Sequence, residues 1–219
     1  MQYPTKNTVL KKPVVWKDLF FYRKSDTLYQ LTVVFCDRFL PAHGDRTVDQ
    51  MIQAARSGKQ NIVEGSEDGK TSSEMEIKLI NVARSSLQEL REDYLDYLKR
   101  NDLSLWTPQH PRYAAMRQFC SSHNDYHAYK AFAERLNDEE LANMALTLCH
   151  QTDKLMTTYL EKLEKRFVTE GGIKERMHAA RTGYRESVDR RLQELEAENQ
   201  KLREENQRLR QLLENLRQA

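Results

Sequence analysis

The chain has 219 residues, of which 39% are hydrophobic and 31% are charged. That hydrophobic fraction is low for a single globular core, so we expect a moderate folded domain with a solvated appendage. The 35 basic and 33 acidic side chains leave a net charge of +2, which provides no overall field to favour nucleic acid or a membrane surface. Cys36, Cys120 and Cys149 are too few and too scattered for a disulfide framework, and they favour a reducing compartment.

The sequence contains no segment that predicts export or membrane insertion. Met1 to Lys12 lacks the apolar core of a signal peptide, and no run approaches the roughly 20 apolar residues that a membrane helix needs. We therefore expect a cytoplasmic protein without a membrane partner. Only seven glycines and five prolines occur, and no stretch alternates apolar and polar residues as strands do, so the sequence predicts an all-α protein.

Two helices are predicted ahead of the short segment bounded by Gly65 and Gly69. Asp26 is placed to cap a first helix that ends before Pro41. Thr47 and Gln50 have the spacing of a capping box, in which the two side chains satisfy backbone N–H groups of the first turn. They predict the start of a second helix that runs toward Gly65.

The third predicted helix has the longest apolar stripe outside the tail. Thr71 and Glu74 have capping-box spacing ahead of it. Its apolar side recurs at steps of three and four residues: Ile80, Ala83, Leu87, Leu90, Tyr94 and Tyr97. Additional apolar residues widen this stripe beyond what one neighbour can cover, which is typical of a helical bundle.

An insertion separates the third helix from the last helix of the predicted bundle. Residues 102–137 begin with a proline-bracketed loop, and Tyr113 to Leu136 is predicted to form one short helix. Asn137 and Glu140 repeat the capping-box spacing at the start of the last core helix, which is expected to stop at Gly171. The sequence thus predicts an antiparallel four-helix bundle over residues 1–170 with a helical insertion.

A leucine-zipper-like heptad repeat follows the predicted bundle. Residues 171–187 are expected to form a hinge, and residues 188–219 a parallel coiled coil. Leucines recur every seven residues after Val188, and the other seam position carries one leucine, then two asparagines, then a second leucine. The expected oligomerisation residues are Leu192, Leu195, Asn199, Leu202, Asn206, Leu209, Leu213 and Leu216.

Asparagine at two successive seam positions favours a parallel dimer, where each amide can pair with its counterpart. The flanking pairs Arg191 with Glu196, Glu198 with Arg203 and Glu205 with Arg210 are attractive in the same arrangement. A single solvated helix and a helix folded back on the bundle remain alternatives. The basic residues between 174 and 191 are interrupted by acidic ones and by Gly183, so they favour a hinge over a DNA-reading basic region.

Few residues suggest a metal-binding, catalytic or phosphate-binding role. Cys120, His123 and His127 would share one face of the predicted short helix and could ligate zinc, although a buried cysteine beside two surface histidines explains the pattern as well. Glu64 and Glu89 are expected to lie partly inside the bundle; a catalytic pair of carboxylates is the alternative, but no second group supports it, so a structural role is favoured. Arg56, Lys59 and Lys70, near the turn between the second and third helices, could contact phosphates or could be solvated.

Part of the sequence resembles a known family of small helical proteins. The resemblance is carried by Asn61, Ile62, Glu64 and Gly65, then Ser73 and Glu74, then Ser86, Leu87, Glu89 and Leu90. These residues are similar to those of the four-helix bundle proteins encoded within bacterial ribosomal RNA intervening sequences, whose fold the accessory proteins of diversity-generating retroelements share. The resemblance implies an antiparallel four-helix bundle, often assembled as a ring of five, with nucleic acid or reverse transcriptase bound by some relatives.

This chain departs from the family pattern in its insertion, its balanced charge and its zipper-like tail. No phosphate-binding loop, catalytic triad or dinucleotide fingerprint is present, and no cofactor is expected. We therefore predict a non-enzymatic, oligomeric scaffold or adaptor. The alternative is a nucleic-acid-binding accessory protein with an RNA or reverse-transcriptase partner.

Overall fold

The computed structural model describes residues 10, 14–41 and 46–218, and within them it contains helices and turns but no strand. This confirms the all-α class. Residues 10–172 form one compact unit, and the C-terminal helix belongs to a second. After a single 3-10 turn at Trp16–Asp18, the helices are α1 Phe20–Phe39, α2 Arg46–Asp68, α3 Ser73–Arg100, α4 Tyr113–Ser122, α5 His127–Ala133, α6 Asp138–Glu170 and α7 Ile173–Gln218.

Four long helices make a closed cycle of contacts, in which α1 and α3 each pack against both α2 and α6. α2 and α3 run in opposite directions, since Gly58 faces Leu87 while Gly65 faces Leu79. The interior between the four helices is apolar. Its large, fully buried side chains include Leu28, Leu31, Phe35, Met51, Ile62, Ile80, Leu87, Leu90, Tyr94 and Leu141.

Aromatic residues join α1 to α3 at one end of this interior. The Phe35 ring lies 5.0 Å from the Tyr94 ring and 4.8 Å from the Tyr97 ring, both in edge-on arrangements that aromatic pairs favour. The buried Tyr94 hydroxyl donates a hydrogen bond to Thr32 Oγ1 at 3.0 Å. This bond satisfies the one polar group of a side chain that is otherwise surrounded by hydrocarbon.

The first residues of three helices differ from the sequence predictions. α1 begins at Phe20, so Asp26 lies inside the helix and pairs with Lys59 at 3.0 Å instead of capping it. Ser72, not Thr71, caps α3, because its Oγ accepts the Met75 N–H at 3.1 Å. Thr47 lies within the first turn of α2, and the residues 42–45 ahead of that helix lie outside the described part of the chain.

The predicted start of the last core helix, α6, is confirmed. Asn137 Oδ1 accepts the backbone N–H of Glu140 at 2.8 Å, and Glu140 Oε2 accepts the backbone N–H of Asn137 at 3.0 Å. This reciprocal capping box begins α6, whose 33 residues make it the longest helix of its unit.

The single helix predicted over 113–136 is wrong, because the chain breaks into α4 and α5. Side chains of α1 and α5 donate hydrogen bonds to the carbonyl groups at this break, which a continuous helix would pair with its own backbone N–H groups. Thr27 donates to the Asn124 carbonyl at 3.0 Å, Tyr129 donates to the His123 carbonyl at 2.8 Å, and the buried Lys24 ammonium donates to the Cys120 carbonyl. α4 packs on α6 and α5 packs on α1.

The loop between α3 and α4 is bound to the first turns of α6. Asn143 Oδ1 accepts the backbone N–H of Trp106 at 2.7 Å, and Asn143 Nδ2 donates to the Ser104 carbonyl at 2.9 Å. Glu139 accepts both the Trp106 indole N–H at 2.9 Å and the Ser104 N–H at 3.0 Å. These hydrogen bonds lower the pKa of Glu139, because they stabilise its ionised form.

We expect Asn143→Ala to destabilise the fold by about 1 to 3 kcal/mol, because the buried Trp106 N–H would lose its acceptor. Asn81→Ala is the matched control, since the exposed Asn81 amide donates to the Ile77 carbonyl one turn away in its own helix. That control should change stability by less than about 0.5 kcal/mol. Urea denaturation followed by circular dichroism measures both, and equal effects would contradict the anchoring role of Asn143.

The close approach of α2 and α3 at Gly58 supports a second prediction. A Cβ at position 58 would lie 2.5 Å from Leu87 Cδ2 and 2.7 Å from its Cγ. Gly58→Ala should therefore destabilise by about 1 to 2 kcal/mol, because overpacking exceeds the roughly 1 kcal/mol that alanine gains over glycine in a helix. Leu87→Ala alone should cost about 2 to 5 kcal/mol.

In the Leu87→Ala background the same Gly58→Ala change should become stabilising, because the clash is gone and part of the cavity is filled. Denaturant titration of the four proteins gives the coupling energy. Additive effects of the two substitutions would mean that α2 and α3 do not pack through this pair.

Candidate functional site

The C-terminal helix α7 is one uninterrupted helix of 46 residues from Ile173 to Gln218. The hinge predicted over 171–187 stays a prediction, but its residues from Ile173 onward are helical. Only the two glycines ahead of α7 interrupt helical structure, and Gly171 adopts a φ of 70° as α6 ends. Gly183 lies within the helix, where a single glycine costs only about 1 kcal/mol relative to alanine.

The predicted heptad seam is an exposed apolar stripe on α7. Its valine and leucines are between 40% and 74% exposed, which is unusual for large aliphatic side chains that recur on one helix face. The stripe consists of Val188, Leu192, Leu195, Leu202, Leu209, Leu213 and Leu216. It spans four heptads, or about 42 Å at 1.5 Å per residue.

Two amides interrupt the stripe. Asn199 Nδ2 donates to the Leu195 carbonyl at 3.2 Å, and Asn206 Nδ2 donates to the Leu202 carbonyl at 2.9 Å. Both side chains are exposed. Because these are local bonds within an exposed helix face, the amides can exchange them for contacts with another chain at little cost.

Charged side chains flank the stripe on both sides. Arg191 pairs with Glu194 at 3.0 Å within the helix, and both side chains are more than half exposed. Such surface pairs contribute little to stability. Arg191 can therefore leave Glu194 and pair with a carboxylate of a partner helix at little cost.

The three candidate zinc ligands do not share a helix face. α4 ends at Ser122, so His123 follows the helix and His127 begins the next one, with both histidines exposed. Cys120 is fully buried, and burial raises the pKa of its thiol to about 11, which disfavours the thiolate that binds metal. Within the described residues no group of three or more His, Cys, Asp or Glu side chains could hold a metal ion.

All three cysteines should be slow to react in the native protein. Burial raises the pKa of Cys36 and of Cys149 to about 12, as well as that of Cys120 to about 11. At pH 8 each thiol is therefore protonated and shielded, and the thiolate is the reactive form. With a chromogenic disulfide reagent we expect slow labelling of the native chain and rapid labelling of three thiols in guanidinium. Fast reaction of a native thiol would contradict the packing around it.

Two of the three candidate phosphate-binding cations have partners within the fold. Lys59 pairs with Asp26 at 3.0 Å and lies over the Tyr29 ring at 4.4 Å. Lys70 pairs with Glu67, and Arg56 is exposed. Nucleic-acid binding through these residues stays a prediction.

The buried carboxylate of the helical core is not one of the two that were expected. Glu64 and Glu89 are exposed, whereas Glu76 is 3% exposed and accepts a hydrogen bond from the Tyr159 hydroxyl at 2.5 Å. Glu76 precedes Ile80 by four residues and so continues the apolar stripe of α3. This four-residue spacing is the sequence signal that could have identified Glu76 as the buried carboxylate.

No family model, curated protein or solved structure matches this chain. The resemblance to the intervening-sequence proteins therefore stays a prediction. None of the described helices has a stretch that is long and apolar enough to cross a membrane.

Proposed function

We propose that this protein is a non-enzymatic scaffold or adaptor that assembles through its C-terminal helix. In this proposal the cycle of α1, α2, α3 and α6 is an antiparallel four-helix bundle, and α7 forms a parallel two-stranded coiled coil with a second copy. We also propose that it works in the cytoplasm, where its three free, buried cysteines stay reduced. The observation that carries the proposal is the exposed leucine seam of α7.

The seam needs a partner on energetic grounds. Helices in proteins gain most of their stability by burying an apolar face, and α7 leaves a face of four heptads exposed. A bundle built from copies of α7 would remove these leucines from water at roughly 25 cal/mol for each Å² buried. A second copy of the same helix is the occupant that fits, because its spacing matches heptad for heptad.

Charge and amide positions select the geometry of this pairing. In a parallel, in-register dimer Arg191 would face Glu196 of the second copy, and Asn199 would face its own counterpart. An antiparallel pairing would place these amides against leucine, which leaves a polar group without a partner. The proposal therefore commits to a parallel dimer.

A dimer also differs from the ring of five that the family resemblance implies. A closed five-fold ring cannot pair every tail in identical two-stranded coiled coils, since five is odd. We propose that the tail determines the assembly, because the leucine spacing, the amides and the flanking charges all favour the same partner.

Sedimentation equilibrium of the full chain tests this prediction. We expect a dimer that Leu209→Glu weakens at least tenfold, because two carboxylates would face each other in an apolar seam. Leu212→Glu is the matched control, since Leu212 is similarly exposed but lies beside the seam. That control should leave the dimer intact.

Two further proteins complete the test. A chain ending at Gly172 should be monomeric, and Asn199→Leu with Asn206→Leu should give more stable but larger or mixed assemblies, because the buried amides restrict the number of strands. A pentamer in both the full and the shortened chain would refute the proposal.

A further inference from the structure

A groove of about 910 Å³ lies on the unit formed by residues 10–172, between the start of α1, α4 and the middle of α6. Its volume falls within the range of pockets that bind small molecules and cofactors. The segment of α6 along it, from Gln151 to Lys162, is roughly 16 Å long at 1.5 Å per residue. The proposed scaffold role makes no use of this groove.

The floor of the groove is apolar and aromatic. Phe21 is almost fully buried, and its ring lies 5.1 Å from the ring of Tyr159. Phe20 is 56% exposed even though it is a large apolar side chain in the first turn of α1. Leu19, Tyr113 and Leu155 add to the apolar lining. The floor can therefore cover the hydrocarbon part of a ligand.

The rim of the groove is positively charged. Arg117 on α4 and Lys154 and Lys162 on α6 are exposed, and none of them forms an ion pair with another described residue. Lys154 and Lys162 are eight residues apart and lie on the same helix face. The one carboxylate in the lining, Asp18, is 3.8 Å from Arg23.

A fourth cation lies in the wall. The Lys24 ammonium is buried, and its hydrogen bonds within the described residues go to two backbone carbonyls, those of Cys120 and His123. No carboxylate among the described residues forms an ion pair with it. Lys24 thus adds to the positive potential of the groove, and a low-dielectric wall strengthens that potential.

We propose that this groove binds a single amphipathic anion, a medium- or long-chain carboxylate whose tail lies on the aromatic floor and whose head group pairs with Lys154 and Lys162. The floor excludes a fully polar anion such as free phosphate. The excess of cations excludes a neutral hydrocarbon as the best ligand.

Isothermal titration of the full chain with dodecanoate, kept below its micelle concentration, tests the proposal. We expect saturable binding of one molecule per chain, with dodecanol bound more weakly and dodecylammonium bound least. Binding of dodecylammonium as tight as that of dodecanoate overturns the proposal, and so does the absence of any saturable binding. Association with phosphatidylglycerol vesicles in the absence of dodecanoate binding also overturns it, in favour of a membrane surface.

Substitutions locate the site. Lys154→Gln with Lys162→Gln should weaken dodecanoate about five- to tenfold and leave dodecanol unchanged, because each partly exposed charge contributes modestly. Lys78→Gln with Lys165→Gln is the matched control, as both lysines are exposed and lie outside the groove. This control should not change the affinity.

Phe20→Ser should weaken dodecanoate and dodecanol alike, because it removes apolar floor without changing charge. The exposure of Phe20 makes this substitution tolerable to the fold, and thermal unfolding by circular dichroism verifies it. If dodecanoate binding resists both Phe20→Ser and the Lys154/Lys162 double substitution, the ligand binds elsewhere, and the proposal is wrong.

Discussion

The burial of α3 is the constraint on which the rest of the folded unit depends. Its stripe from Ile80 to Tyr97 is removed from water, and that stripe is too wide for one neighbouring helix to cover. α2 covers one side, with Gly58 admitting Leu87 at close range, and α6 covers the other. α1 completes the cycle, and the bond from Tyr94 to Thr32 aligns it with α3.

Polar groups, in contrast, determine where the insertion lies. The carbonyls left free where α4 stops bond to Lys24 and Thr27 of α1, and the loop before α4 bonds to Asn143 of α6. Burial lowers the pKa of Lys24, because an ammonium group loses solvation there and gains only carbonyl partners. Bonding to both α1 and α6 holds α4 at the side of the core and so creates the groove.

Within the folded unit apolar side chains are buried by other helices of the same chain, whereas the leucines of α7 are largely exposed. The physical effect is the same in both places, since apolar area gains free energy when it leaves water. Under our proposal a second copy buries the α7 seam. The assembly and the fold would then follow from one driving force, applied between chains in the first case and within a chain in the second.

Local patterns in the sequence determined the helical class, the positions of α2, α3 and α6, the heptad repeat within α7, and the capping box at Asn137, because periodicity and caps depend on residues within a few turns. Only the tertiary structure decided where α1 begins, that α4 and α5 are separate, and that Glu76 is the buried carboxylate. The break after α4 depends on Lys24, which is 96 residues away from Cys120 in sequence. The groove likewise combines three distant segments, and no local pattern encodes contacts of that range.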